Sequence, residues 1–151
     1  MALFQNFEIS ASAMTAERFR IDIIAENVAN VTTTQTPEGG PYRRKIVTFA
    51  EKRATPFTEI MAHTRRMREA YIGSGVKVSR VSEDEENDFI MEYDPSHPDA
   101  DENGYVSYPN VNIVTEMTNL IDASRAYEAQ TTVFDASKAI ASAGLGIGSG
   151  S

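Results

Sequence analysis

Two apolar stripes, one near each end of the chain, restrict what it can fold into. Between about Phe7 and Asn30, the residues Phe7, Ala11, Met14, Ile21, Ala25 and Val28 recur at steps of three, four and seven, and Ile24 widens the stripe. Arg18 is the one polar residue in that seam, while Glu17, Arg20, Asp22 and Glu26 fall outside it. Residues spaced in this way share one face of an α-helix, and a repeat of about 3.5 residues suits packing against a second helix. The second stripe runs from Asn112 to about Ala143 through Ile113, Met117, Leu120, Ser124, Tyr127, Thr131, Phe134, Lys138 and Ala141, with Ile121, Ala123 and Ala126 beside it. Neither Gly nor Pro interrupts it, so nothing in the segment breaks a helix longer than the globular norm. A helix with a narrow apolar stripe must bury it against another helix, and each end of the chain offers the other end that partner. The expected class is α+β, mostly α: long N- and C-terminal helices paired as a coiled coil, a small β-rich middle domain, and an irregular loop.

The middle follows from breakers and alternation. The first helix is expected to stop near Asn30, because Val31-Thr32-Thr33-Thr34 is β-branched and helix-averse. Pro37, Gly39, Gly40 and Pro41 then read as a loop, and Tyr42 to Phe49 alternates enough for a strand. Val76, Val78 and Val81 predict another strand, with Phe89 to Tyr93 as its hairpin partner across the acidic turn Ser82 to Asn87. A third short strand is expected over Gly104 to Tyr108. Within loop 50–75, Glu59 to Tyr71 reads equally as a short helix or as a basic loop around Arg65, Arg66 and Arg68. The resulting organisation is residues 1–35 and 109–144 as terminal helices, 36–108 as the middle region, and 145–151 as a flexible Gly-rich tail.

Charge and composition narrow the function. There is no Cys, which excludes disulfides and thiol chemistry and suits either a reducing compartment or passage between compartments. The start MALFQNFEIS lacks a basic, then apolar, secretory signal, and no apolar run is long enough to insert into a membrane. Net charge is −8, split into +4 over residues 1–80 and −12 over residues 81–151. That split reads either as a locally biased solvated surface or as a head-to-tail subunit whose basic part meets the acidic part of a neighbour. Nucleic acid is not an expected partner, because the pI is about 4.7 and the basic stretch has no interleaved aromatics.

Candidate chemistry is sparse. His63 lies among arginines and His97 between Pro95 and Pro98; neither has zinc-site spacing. Asp99-Ala100-Asp101-Glu102-Asn103-Gly104 matches the first half of a calcium loop, D-x-D-x-N-G. Its twelfth position is Asn110, where the bidentate Glu should stand. The competing reading is an Asx-rich turn feeding a strand. No nucleophile elbow, GxGxxG or P-loop is present, so no enzyme activity, cofactor or metal is expected.

Four stretches carry a family resemblance. Ile23-Ile24-Ala25-Glu26-Asn27-Val28-Ala29-Asn30-Val31-Thr32, with its N-x-A-N, resembles the N-terminal signature of the bacterial flagellar rod and hook proteins. Thr36 to Lys45 (TPEGGPYRRK), Tyr93 to Ala100 (YDPSHPDA) continued by Gly104-Tyr105-Val106, and Pro109-Asn110-Val111-Asn112 with Glu116-Met117 and Ser124 to Ala129 (SRAYEA) resemble its proximal-rod branch. The resemblance spans nearly the whole chain in order; it is weakest over residues 50–75 and at the Gly-rich end.

The resemblance implies a structural subunit of the proximal rod, the drive shaft of the flagellar basal body. Such a subunit is exported by the flagellar type III apparatus without a cleaved signal and polymerises helically in the periplasm through its terminal helices to transmit torque. The implied partners are copies of itself, the other proximal and distal rod proteins, the adaptor at the export gate and MS ring, and surrounding ring proteins. The expected subunit-interface residues are Phe7, Ala11, Met14, Ile21, Ile24, Asn27, Val28 and Asn30 in the first helix and Met117, Leu120, Ile121, Tyr127 and Phe134 in the last. Asn27 and Asn30 are expected to cap or end the first helix and to bond nearby backbone. The alternative is a soluble coiled-coil adaptor or an export-chaperone-like binding module.

Overall fold

The structure, a computed structural model, describes residues 2–52 and 74–148. Helix α1 spans Ala2–Ala29, followed by strands β1 (Lys45–Glu51), β2 (Val76–Glu83), β3 (Ile90–Tyr93) and β4 (Tyr105–Tyr108), and by helix α2 (Ile113–Gly148). The fold is thus α+β and mostly helical, with two small antiparallel sheets. Most of loop 50–75, including His63 and Arg65, Arg66 and Arg68, lies outside the described residues. The chain forms two compact units: Met1–Arg18, Phe49–Ser79 and Arg125–Ser151 make one, and Phe19–Thr48 and Arg80–Ser124 make the other.

Both helices end where side chains meet orphan backbone groups. At the end of α1, Asn30 Nδ2 donates to the Glu26 carbonyl at 3.0 Å, and Thr33 Oγ1 donates to Asn30 Oδ1 at 3.1 Å. Asn112 caps α2, its Oδ1 accepting from the Thr115 amide at 3.1 Å. Helix α2 then runs to Gly148, past the boundary expected at residue 144. Gly144 and Gly146 inside it each cost about 1 kcal/mol relative to Ala, which does not stop a helix already many turns long.

The buried stripes differ from the apolar ones. Along α2, Glu116, Ala123 and Ser137 are buried, and Asn119, Leu120, Ser124, Ala126, Tyr127, Gln130, Thr131, Phe134 and Ala141 are half-buried. Leu120, Tyr127, Phe134 and Ala141 belong to the expected stripe, but Met117 is 55% exposed while Glu116 is 1% exposed. Ser124 and Thr131 of the expected stripe are half-buried too, whereas at Glu116 and Ser137 the buried residue stands one position before the expected Met117 and Lys138. Along α1, Ser10, Ala16, Ile24 and Asn27 are buried, whereas Ala11 and Ala25 are exposed. Apolar spacing predicts a face to within one position only, because small side chains allow close approach and polar ones are tolerated where partners await them.

In the first unit, the Phe7 and Phe134 rings meet edge-on at 5.0 Å, and Lys52 Nζ reaches Glu8 at 2.8 Å. Strands β1 and β2 pair, and bonds at either end set them antiparallel: Lys52 N–H to the Gly75 carbonyl in this unit and Asp84 N–H to the Arg44 carbonyl among the residues of the second, both 2.8 Å. Ser12 on α1 holds the start of β2. Its Oγ donates to the Ile9 carbonyl at 2.7 Å and accepts from the Val76 amide at 3.1 Å.

In the second unit, β3 and β4 pair antiparallel, Ile90 opposite Tyr108 and Tyr93 opposite Tyr105. This corrects the expected hairpin: β3 pairs with β4, and β2 with β1. The stretch expected to turn β2 into β3 is instead a corner built by Asp84, whose Oδ1 accepts from the amides of Glu86 and Asn87, both at 3.2 Å. The D-x-D-x-N-G stretch forms the Asx turn. Asp101 Oδ1 accepts from the amides of Asn103 and Tyr105 at 2.8 Å. The core of this unit gathers Ile24, Tyr42, Val106, Val111 and Ala123.

Gly75 gives a direct test of the Ser12 contact. Its φ is +104°, and an added Cβ would lie 2.1 Å from Ser12 Oγ and 3.4 Å from the Ile9 Cα. At Gly39, with φ of +96°, an added Cβ meets nothing within 4 Å. Gly39→Ala should therefore cost about 1 kcal/mol of left-handed strain, and Gly75→Ala about 2 kcal/mol or more, since steric overlap adds to it. Urea denaturation of the two variants checks the order.

Candidate functional site

The last turns of α1 and the first turn of α2 meet in the second unit around one carboxamide. Asn27 is 1% exposed. Its Oδ1 accepts from the Lys45 amide and from the Tyr42 hydroxyl, each at 2.9 Å. Its Nδ2 donates to the Lys45 carbonyl at 2.9 Å and to Glu116 Oε2 at 3.1 Å. All four hydrogen-bonding valences of the amide are filled. Two of them exchange with the backbone of Lys45 as a neighbouring strand would, so the side chain pins the first residue of β1 to the helix.

Glu116 carries the network onward. Its Oε1 accepts from Arg44 Nε at 2.8 Å and lies 2.7 Å from Arg44 Nη2. Arg44 Nη1 lies 3.4 Å from Asp84 Oδ2, and Asn87 Nδ2 donates to the same oxygen at 2.9 Å. The Asn87 side chain first, then backbone amides and Arg44, hold the Asp84 carboxyl below its usual range against the opposing effect of burial. Asn110 closes the ring: Oδ1 accepts from the Arg44 amide at 2.9 Å, and Nδ2 donates to the carbonyls of Asp84 and Asn87 at 2.9 and 3.0 Å. At the rim, Lys45 Nζ bonds Glu26, and Arg43 lies over the Phe89 ring at 4.4 Å.

Chemically this is a fastening. An open cleft of about 310 Å³ borders it, lined by Arg44, Asp84, Asn110 and Glu116 among others, but those polar groups already bond one another. Among the described residues no group of three His, Asp or Glu is placed to hold a metal ion. His97 Nδ1 accepts from the Asp99 amide at 3.1 Å, within its own turn.

The expected interface residues distribute unevenly. Ile24 and Asn27 are buried; Phe7, Met14, Ile21, Val28, Asn30, Leu120, Tyr127 and Phe134 are half-buried; Ala11, Met117 and Ile121 are exposed. Asn30 ends the helix, whereas Asn27 bonds strand backbone beyond it. Sequence reading missed Tyr42, Arg44, Asp84, Asn110 and Glu116 as members of one cluster. A signal existed: four of these five lie in TPEGGPYRRK, Pro109–Asn112 or Glu116-Met117, the stretches that carry the family resemblance.

Two outcomes test the cluster. Asn27→Leu, close in volume, should destabilise by about 2–4 kcal/mol, since it strands the Lys45 backbone and the Glu116 carboxylate; thermal unfolding reads this. Burial, then the carboxylates of Glu26, Glu116 and Glu83, push the Tyr42 phenol up to about 12 from 10.0. The folded state thus holds this proton more tightly than the unfolded state. The associated stability is present below about pH 10 and is lost as pH rises through about 12. Tyr42→Phe should flatten that part of the alkaline denaturation curve.

The comparisons with known proteins agree with this layout. A family model described as "Flagella basal body rod protein" matches residues 7–34, and one described as "Flagellar basal body rod FlgEFG protein C-terminal" matches residues 102–147. The flagellar basal-body rod protein FlgC of Borreliella burgdorferi is 42% identical over 97% of this chain and 98% of its own length. FlgC of Bacillus subtilis is 40% identical over 98% and 99%, and FlgC of Salmonella typhimurium 37% over 93% of each. With most of its length matched at such identity, the chain belongs to the FlgC family of flagellar basal-body rod proteins.

Proposed function

We propose that this chain is a subunit of the proximal rod, exported by the flagellar type III apparatus and polymerising helically through α1 and α2 to transmit torque. Membership of the FlgC family makes it a structural component of the basal-body rod and not an enzyme. The observation that carries the finer reading is the apolar surface left on α2. Val114 is 75% exposed, Met117 55%, Ile121 61% and Ile140 68%. Three of them, Val114, Met117 and Ile121, succeed one another at steps of three and four, and so present one continuous strip. A soluble subunit with no further partner gains nothing from such a strip, whereas a polymer buries it.

In this reading the terminal helices pair as a coiled coil within the subunit and offer their remaining apolar side chains to neighbours. Those neighbours are copies of the chain, the other proximal and distal rod proteins, and the adaptor joining the rod to the export gate and MS ring. Residues 1–35 and 109–144 supply the inner core and the middle region an outer part. Export precedes stable folding. The Asn27–Glu116 bond joins positions 89 residues apart, so the cluster cannot close until both ends of the chain have emerged.

Met117→Glu and Ile121→Glu test the polymer directly. Both positions are exposed, so monomer stability should change by no more than about 0.5 kcal/mol. Sedimentable assembly and swimming should nonetheless be lost. Motile cells bearing the double variant would remove α2's strip from the assembly interface.

A further inference from the structure

Asn103-Gly104 is the one asparagine–glycine pair in the chain, and it sits in the turn that resembles a calcium loop without being one. The Gly104 amide donates to the Asp101 carbonyl at 3.0 Å and closes a β-turn over Asp101 to Gly104. Asn103 is exposed and, among the described residues, bonds through its backbone amide, which donates to Asp101 Oδ1 at 2.8 Å. Its carboxamide is left to solvent. Glycine is imposed at the next position by the fold. Gly104 has φ of +81°, and an added Cβ would lie 3.0 Å from Tyr93 Cε2 and 3.2 Å from Pro95 Cγ. The residue after Asn103 therefore has no side chain to shield the main-chain nitrogen between them.

We propose that Asn103 is a site of spontaneous deamidation, open in the unfolded chain and slowed by the closed turn. The Gly104 nitrogen gives its proton to solvent and attacks Asn103 Cγ. The N–Cγ bond forms, the Cγ–Nδ2 bond breaks, and Nδ2 leaves as ammonia after taking a proton from water. Water then opens the cyclic imide. Opening at Cγ gives an ordinary aspartyl residue; opening at the main-chain carbonyl gives an isoaspartyl residue. The balance is one carboxamide and one water converted into one carboxylic acid and one ammonia, with no oxidant or reductant.

Folding opposes the first step. The attacking nitrogen is tied to the Asp101 carbonyl, and Asp101 Oδ1 holds the amides on either side of it, those of Asn103 and Tyr105, at 2.8 Å. The turn must open before the nitrogen can swing onto Cγ. Once formed, the isoaspartyl product opposes folding. It routes the main chain through Cβ and Cγ, which adds one backbone bond of about 1.5 Å. Asp101 Oδ1 then cannot keep both amides, and the Gly104 carbonyl is drawn away from the Asp94 amide that donates to it at 3.0 Å. Those bonds place the end pair of the ribbon, Tyr93 opposite Tyr105. An unfolded chain thus carries a clock that closure of the turn stops, and a chain converted beforehand cannot close this end of the ribbon.

The test ages the full chain at one mildly alkaline pH and temperature, in native buffer and in urea. Trypsin then releases residues 81–125 as one piece, because no Lys or Arg lies within 81–124. Asn87, Asn110, Asn112 and Asn119 are internal controls in the same peptide, and electron-transfer fragmentation separates aspartyl from isoaspartyl products. In urea, conversion should concentrate at Asn103; in native buffer it should be about tenfold slower there, the factor for opening one turn hydrogen bond. Asp101→Ala, which removes the two-amide clamp, should move the native rate towards the urea rate. Aged chains carrying the isoaspartyl product should lose hydrogen-exchange protection at the Tyr105 amide, whereas Asn103→Asp should keep it. Conversion in urea that favours a control asparagine overturns the site. A native rate equal to the urea rate, or one unmoved by Asp101→Ala, overturns protection by the turn. Unchanged protection at Tyr105 in the isoaspartyl chain overturns the effect on the ribbon.

Discussion

The second compact unit depends on the carboxamide of Asn27 standing in for a peptide group. A peptide offers one donor and one acceptor at fixed spacing, and an Asn side chain offers the same pair. By giving a proton to the Lys45 carbonyl and taking one from the Lys45 amide, the last part of α1 behaves as a strand neighbour to β1. The remaining donor and acceptor go to Glu116 and Tyr42. An Asp here would lack the donor and set a negative charge against the Glu116 carboxylate; an Ala would leave buried backbone groups unpaired. The entry of β1, the start of α2 and the loop carrying Tyr42 are therefore placed by a single side chain.

Burying Glu116 at 1% exposure is unfavourable unless its charge is matched and its oxygens are bonded. Arg44 supplies the charge at 2.7 Å and Asn27 an additional donor. Such a network adds less stability than an apolar core of equal volume would. Its value is geometric: guanidinium, carboxamide and carboxylate accept only a narrow set of orientations, so the ends of the chain meet in one register. For a subunit proposed to reach its site unfolded and to order on assembly, a fastening that closes only in the correct register is more useful than a larger apolar contact that tolerates slippage.

Much of the secondary structure was legible because its causes are local. Two helices, the helix-averse Val31–Thr34 exit, the alternation of Val76 and Val78 and the Asx turn at Asp101 each follow from a few adjacent residues. Strand pairing was not legible in the same way. Nothing near Phe89 says that its strand joins Tyr105–Tyr108 rather than Val76–Glu83; Asp84 decides it by folding back on the amides of Glu86 and Asn87. The seam of α2 shows a third kind of limit. Met117 is the apolar residue and Glu116 the buried one, because the facing group is an amide and an arginine waits beside it.

What the sequence determined alone was the number and type of the long elements, the absence of thiol chemistry and of recognisable catalytic constellations, the charge division between the two parts of the chain, and family kinship through motifs at 23–32, 36–45, 93–106 and 109–129. What only the tertiary structure decided was that three of those motifs converge on one buried cluster through Asn27, Arg44, Asn110 and Glu116, and that the other forms an exposed aromatic ribbon. The reason is physical. Helical and turn preferences act over a few residues, whereas the burial of a polar side chain is settled by which partners arrive from distant parts of the chain.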